Sequence, residues 1–214
     1  MELFEAIKTR RSIRTYTQEK VSRAMLEKII EAGTWAPTAC NRQAFRFIAV
    51  EDQTLKKKIV DNGAAAFIAN APVVVFVLYD NRTDNTEYAD HVQSASAVIE
   101  NIILAAHALG AGSCWVCHIP RKEVLRKLLN IPNNFDPIAC IPLGHCAHVP
   151  KPQPRPVVSD VLCFNSFTFG TGGPKATGVG ARRRLRRIYF KMPPRMRKVA
   201  RPLASRFEKK FEGT

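Results

Sequence analysis

The 214-residue chain has no uninterrupted apolar stretch of bilayer length: its longest runs, Ala71 to Tyr79 and Ile102 to Val116, are too short or are broken by His107 and several small residues. A transmembrane helix is not expected on that pattern. A secretory leader is missing too, since Met1-Glu2-Leu3-Phe4-Glu5 opens with acids and no basic segment precedes an apolar one, so a cytoplasmic location is expected. In a reducing compartment the six cysteines are expected to be thiols, with Cys40, Cys140, Cys146 and Cys163 as packing residues. Glycine-rich nucleotide loops are also lacking. Gly110-Ala111-Gly112 has Trp115 where a dinucleotide fingerprint needs a third glycine, and Gly170 to Lys175 has Pro174 where a P-loop needs glycine before its lysine. No serine sits in a G-x-S-x-G elbow, and the five histidines have no spacing that nominates a base. His107 reads as a satisfied core histidine, and Glu27, Glu31 and Glu100 as solvated or ion-paired helical carboxylates.

What the chain does have is charge, unevenly placed. Of 33 Lys/Arg and 18 Asp/Glu, 14 and 2 fall in residues 171–214, which leaves +12 on the tail and only +3 on the rest. Arguments from net charge therefore concern the tail, while residues 1–170 have the balance and 46% overall hydrophobic content of an ordinary globular body. The length suits one domain, expected over 1–168, followed by a glycine-rich hinge and basic tail over 169–214.

Periodicity predicts the elements. Ser22 caps a helix to about Ala32 with Gly33 as its stop, Thr34 to Gln43 is a loop, Phe45 to Val50 a strand, and Asp52 caps a helix through Val60. A short helix over 64–70 and a buried strand over 73–78 follow. A long helix over 87–109 carries Val92, Ala95, Ile99, Ile102, Ile103 and Ala106 at spacings of three and four. A strand near 113–117, a helix from Pro120 through Leu129 and a strand over 137–143 complete the body, and four prolines between Pro150 and Pro156 impose an extended segment. The order indicates α+β or α/β architecture.

Two polar segments carry the candidate chemistry. Arg10-Arg11-Ser12-Ile13-Arg14 alternates guanidinium and hydroxyl groups that one backbone turn would aim the same way, which suits a phosphate, and Ala36 to Gln43 follows it across one helix. A solvated charge run is the competing reading of the arginines. Cys114-Trp115-Val116-Cys117-His118 has the spacing of a dithiol or haem-attachment motif, but it follows a helix where a reactive thiol needs a helix N-terminus, and haem attachment belongs to exported chains. Neighbouring residues of a strand point to opposite faces, so Cys117 and His118 would not converge on zinc; no metal site is expected.

In order, Arg10 to Arg14, Pro37 to Gln43, Leu109 to Trp115, Ile141-Pro142-Leu143-Gly144-His145 and Pro154-Arg155-Pro156 with Asn165 resemble the nitroreductase family over residues 1–168. The resemblance implies an α+β FMN-binding fold with a mixed central sheet flanked by helices, in an intertwined homodimer with two FMN sites at the subunit interface. It implies that Arg10, Ser12 and Arg155 hold the FMN phosphate, with Arg11 in the same basic run and Arg14 at the flavin pyrimidine edge. Pro37, Thr38, Ala39, Asn41 and Gln43 would reach the flavin from the partner chain, Trp115, Val116 and Cys117 would line the ring near N5, and Pro142, Leu143 and Gly144 would approach by backbone. NAD(P)H is the implied donor, in a ping-pong cycle that ends on a small oxidised acceptor such as a nitroaromatic or quinone. Flavin supplies the chemistry, so no protein side chain is implied as catalytic. Ala44-Phe45 and His145-Cys146 depart from the family's usual residues. The same scaffold also serves dehalogenation and flavin fragmentation, and a flavin-binding redox sensor without turnover is the rival outside the enzyme class.

Beyond Gly180 the resemblance stops. Leu185, Ile188 and Tyr189 form one short apolar stripe, and Met196, Val199, Ala200, Leu203, Phe207 and Phe211 form another, with basic residues on the other faces. Residues 181–211 therefore suit an anionic membrane surface at the inner face of the membrane, or a protein partner; nucleic acid is disfavoured because stacking aromatics do not interleave with the cations.

Overall fold

The β-branched run of the central strand organises the body. In the computed structural model, which describes residues 1–82, 85, 87–169 and 196, four strands form one sheet. They are β1 (Phe45–Val50), β2 (Val73–Asp80), β3 (Gly112–Ser113) and β4 (Phe135–Gly144), in spatial order β1-β2-β4-β3. All three pairings are antiparallel, and the parallel component is confined to the bridge between Ser12 and Ser113. Every residue of β2 is buried, so both sheet faces are covered. Val73, Val75, Val77 and Tyr79 face one core with α2 (Arg23–Thr34) and α4 (Asp90–Ala108). Val74, Phe76 and Leu78 alternate to the other, where α3 (Gln53–Asp61), the 3-10 turn Ala66–Asn70 and α5 (Lys122–Leu129) pack. A first helix, α1 (Leu3–Thr9), buries only Ala6 and leaves Leu3, Phe4 and Ile7 exposed.

Local chemistry sets most boundaries. Ser22 Oγ accepts the Met25 N–H and Asp52 Oδ1 accepts the Leu55 N–H, so both predicted caps are made. Gly33 is not a stop but a buried residue inside α2, where a Cβ would stand 2.7 Å from Ile102 Cγ1; it is glycine because α2 and α4 touch there. The expected helix over 64–70 is a 3-10 turn, and α4 starts at Asp90 because Ala89 is left-handed at φ 48°. The strand expected over 113–117 is reduced to Gly112–Ser113, with Val116 rejoining opposite Cys140. Continuing the register sets Cys114 opposite Pro142, which has no N–H to give, and the ladder breaks there.

At the far end of β2, Asp80 is buried and accepts hydrogen bonds from Arg82 Nε and Nη2 and from Asn134 Nδ2. The Arg82 bonds chiefly, with Asn134 adding, hold its carboxyl well below the ordinary range. A carboxyl with a lowered folded pKa binds fewer protons folded than unfolded, so its stabilisation is complete above the unfolded value of about 3.9 and is lost as pH falls below it. The melting temperature is therefore expected to fall between pH 5 and 3, and Asp80→Asn to flatten that slope. Arg82 is mostly exposed, so screening by salt should shrink the effect.

The chain divides into two units, Met1–Pro152 and Gln153–Thr214. The described part of the second holds one 3-10 turn, Val158–Asp160, and otherwise no helix or strand over 153–169. Among the described residues no helix is long and apolar enough to cross a membrane. The expected glycine-rich hinge beyond Phe169 and the apolar stripes of 181–211 lie outside the described residues, Met196 apart.

Candidate functional site

Helix α1 ends where the basic run begins, and Arg10 is its C-cap. Arg11 turns back: its Nη1 donates to the Lys8 and Arg10 carbonyls, satisfying the helix end. The next residues lie on the sheet margin. Ser12 bridges Ser113, the Ile13 N–H donates to the Ser113 carbonyl at 2.9 Å, and the Tyr16 hydroxyl spans the Ile13 and Pro142 carbonyls at 2.6 and 3.2 Å. Burial, more than any other influence, pushes the Tyr16 hydroxyl pKa well up, so it stays a donor.

Burial pushes the Cys114 thiol up, while Arg14, Ser12 and then Arg10 act to lower it. Arg14 lies over the Phe67 ring at 5.9 Å, and its Nη1 reaches the Ser12 carbonyl at 3.4 Å. Arg10 Nε is buried without a hydrogen-bond partner, and so is Trp115 Nε1 nearby in sequence to Cys114. Buried guanidinium and indole N–H groups without acceptors are costly, which marks this region for a ligand that supplies them. Thr9 donates its hydroxyl hydrogen to the Glu5 carbonyl, so His107 Nε2 must donate to Thr9 across 2.8 Å. Burial first, then Arg10 and Arg11, holds the His107 pKa below its ordinary value. His107 is therefore half-buried and tied to the end of α1 rather than sealed in the core.

On the sheet side, Val116 is buried and paired with Cys140, and Cys117 is exposed. Pro142, Leu143 and Gly144 are buried at the end of β4, and the Leu143 side chain is wholly enclosed, so only backbone is available there. Arg155 belongs to the second unit and is exposed. All six cysteines are free; Cys140 is a core residue, but Cys40 is exposed and Cys163 only half-buried, so the packing role expected of those two fails. Among the described residues no group of three or more His, Cys, Asp or Glu could hold a metal ion.

The second predicted segment lies elsewhere. Ala39–Asn41 forms a 3-10 turn in which Cys40, Asn41 and, two residues on, Gln43 have φ of 51°, 52° and 47°. For non-glycine residues that strain costs about 1 kcal/mol or more each, so the loop must be held. Within it, Thr38 Oγ1 accepts the Gln43 N–H at 3.1 Å and Asn41 Oδ1 accepts from Gln43 Nε2 at 2.8 Å. Outside it, Ser94 Oγ on α4 accepts the Ala39 N–H at 2.9 Å. Pro37, Asn41 and Gln43 are exposed.

Helix α4 thus carries the loop near one end at Ser94 and the basic run near the other at His107. Thirteen residues of helix separate them, roughly 20 Å at 1.5 Å per residue. One chain does not bring its two candidate segments together. Tyr16, Thr9 and Ser94 were missed from the sequence; of these only Ser94 left a signal there, a hydroxyl in helical register with the apolar Val98 and Ile102.

The sequence profile described as Nitroreductase family matches residues 7–62 and 56–145. A Methanothermobacter thermautotrophicus protein described as an NADH dehydrogenase/NAD(P)H nitroreductase is 36% identical over 154 residues, 70% of this chain and 80% of the relative. An FMN reductase [NAD(P)H] of Bacillus subtilis is 29% identical over 72% of this chain and 70% of its own. Among solved structures, a nitroreductase from Desulfovibrio desulfuricans in complex with FMN is similar at TM-score 0.68 and 31% identity, covering 78% of this chain and 99% of that one.

Proposed function

This chain belongs to the nitroreductase family, and from that premise we propose that it takes electrons from NAD(P)H and delivers them, in ping-pong fashion, to a small oxidised acceptor such as a nitroaromatic or quinone. It is an FMN-dependent oxidoreductase. FMN, when bound, supplies the hydride-accepting and hydride-donating centre. The residues at the sheet margin fit such a group: Arg10 Nε is buried without a hydrogen-bond partner, and that is the observation that carries the reading. Arg10 and Ser12 would hold the phosphate by charge-assisted bonds. Arg14 would place positive charge at the pyrimidine edge, where reduction builds negative charge. Trp115, Val116 and Cys117 would face the ring, Pro142 to Gly144 would meet it through backbone, and Arg11 would add its charge while capping α1.

A second copy completes the site in this reading. Pro37, Thr38, Ala39, Asn41 and Gln43 stand about 20 Å of helix away from the arginines of their own chain, so a two-fold dimer that sets each loop over the partner's arginines yields two identical composite sites. The exposed Leu3, Phe4 and Ile7 of α1 are the kind of apolar face such a dimer would cover.

Purified protein should show the visible bands of oxidised flavin, release FMN on denaturation, and bleach on anaerobic addition of NADH or NADPH. Reoxidation by a quinone or nitroaromatic should give parallel double-reciprocal plots, and sedimentation should give a dimer. Bound flavin that neither nucleotide bleaches would replace the enzyme by a redox sensor, and a colourless protein that FMN cannot reconstitute would remove the cofactor reading altogether.

A further inference from the structure

We propose that Ser94 is a positioning residue for the cofactor site, acting through the loop over residues 37–43. The inference rests on the reading that this loop faces FMN, and it adds the element that sets the loop's shape.

The argument begins with α4. Ser94, Val98, Asn101 and Ile102 stand at i, i+4, i+7 and i+8, one face of a helix, and that face grips the chain on both sides of the loop's start. Val98 and Ile102 close on Gly33 so tightly that a Cβ there would meet both, at 3.3 and 2.7 Å. Asn101 Nδ2 donates to the Ala32 carbonyl at 3.2 Å, fixing the end of α2. Seven residues further on, Ser94 Oγ accepts the Ala39 N–H. Ser94 is 4% exposed, so water does not substitute readily for its oxygen.

The position of that bond gives it leverage. Ala39 opens the turn that carries Cys40 and Asn41 into the left-handed region, and Gln43 follows. Bonds from Thr38 and Asn41 to Gln43 close the loop on itself but do not fix it in space. The Ala39 N–H bond ties the strained turn to the rigid helix. Without it the loop keeps a closed form but loses a single orientation, and a ligand must then select among orientations, which raises its dissociation constant.

The test uses full-length wild type, Ser94→Ala, Ser94→Thr and Leu125→Ala. FMN dissociation constants are read from flavin fluorescence, and loop exposure from tryptic cleavage after Arg42 in the FMN-free protein. Ser94→Ala is expected to weaken FMN about tenfold, to speed cleavage after Arg42, and to lower the melting temperature by a few degrees. Ser94→Thr, which retains the acceptor, should bind within about threefold of wild type, while Leu125→Ala, in the core on the other sheet face, should lower the melting temperature with FMN affinity nearly intact. Should Ser94→Ala fail to fold, Ser94→Cys, of similar volume and weaker acceptance, must show the same direction. Unchanged affinity in a folded Ser94→Ala overturns the inference, with or without faster cleavage. Wild type that does not bind FMN overturns the cofactor reading instead, and the inference with it.

Discussion

Replacing Arg10 by alanine is expected to weaken FMN binding by about ten- to a hundredfold, the larger of the single-side-chain effects at this site. A hydrogen bond between a guanidinium and a phosphate is worth about 1.5–3 kcal/mol, and each 1.4 kcal/mol is a factor of ten. Arg10 is the arginine to test because its Nε is already buried and without a partner, so binding adds a bond at little fresh desolvation cost. Arg11 makes a poor substitute, being committed to the carbonyls of Lys8 and Arg10. Lysine at position 10 keeps the charge but not the planar fork, so Arg10→Lys should fall between wild type and Arg10→Ala. As the C-cap of α1, Arg10 also complements the helix dipole, a contribution of about 0.3–1 kcal/mol that lowers stability slightly without explaining the loss of cofactor. Riboflavin, which lacks the phosphate, provides the control. Its affinity should be nearly the same in wild type and Arg10→Ala, and a parallel loss for riboflavin would sink the phosphate assignment.

How far the sequence reaches follows from how local each determinant is. The limits of β1 at Phe45 and Val50 and the caps Ser22 and Asp52 were legible because alternation, a side-chain oxygen and a nearby N–H decide them. Gly33 was misread as a helix stop because the reason for it, Ile102, lies 69 residues away on another helix. The strand near 113–117 was overextended because its limit is set across the sheet by Pro142, on a strand the local pattern cannot see. The site shows the same division. Arg10, Ser12 and Arg14 were legible as a candidate phosphate site because their spacing lies within a few residues. The separation of the loop over 36–43 from those arginines was implied by family resemblance alone, since only the length of α4 measures it. Ser94 and Tyr16 act through tertiary bonds to backbone, and a backbone N–H or carbonyl has no signature of its own in a sequence.

The largest loss of stability is expected from Gly144→Val, at about 3 kcal/mol or more, the upper end of what overpacking a core costs. A Cβ at this position would lie 2.6 Å from Pro72 Cδ and 2.8 Å from Tyr16 Cδ1. Neither neighbour can yield: Pro72 is a closed ring leading into β2, and the Tyr16 ring is pinned by its hydroxyl to the Ile13 and Pro142 carbonyls. The partner of Gly144 across the sheet is Gly112, where a Cβ would stand 2.9 Å from Ile13 Cγ2. This glycine pair is what lets Ile13 to Tyr16 lie against the sheet margin, with Arg14 between them over the Phe67 ring. Relief of the clash by moving Tyr16 would therefore carry Arg14 away, coupling instability to loss of cofactor. For a domain of this size 1 kcal/mol corresponds to about 2–4 °C, so Gly144→Val should melt roughly 6–12 °C below wild type as FMN-free protein and bind FMN poorly at temperatures where it is still folded. Gly144→Ala should lie between. Gly110 makes the contrast, since it has φ of 81° and nothing within 4 Å of a Cβ; Gly110→Ala meets backbone strain alone, at about 1 kcal/mol, and should keep its FMN. A Gly144→Val protein that melts within about 2 °C of wild type and retains full FMN affinity would show that the sheet margin has slack, and the close approach of Ile13 to Tyr16 would lose its role in placing Arg14.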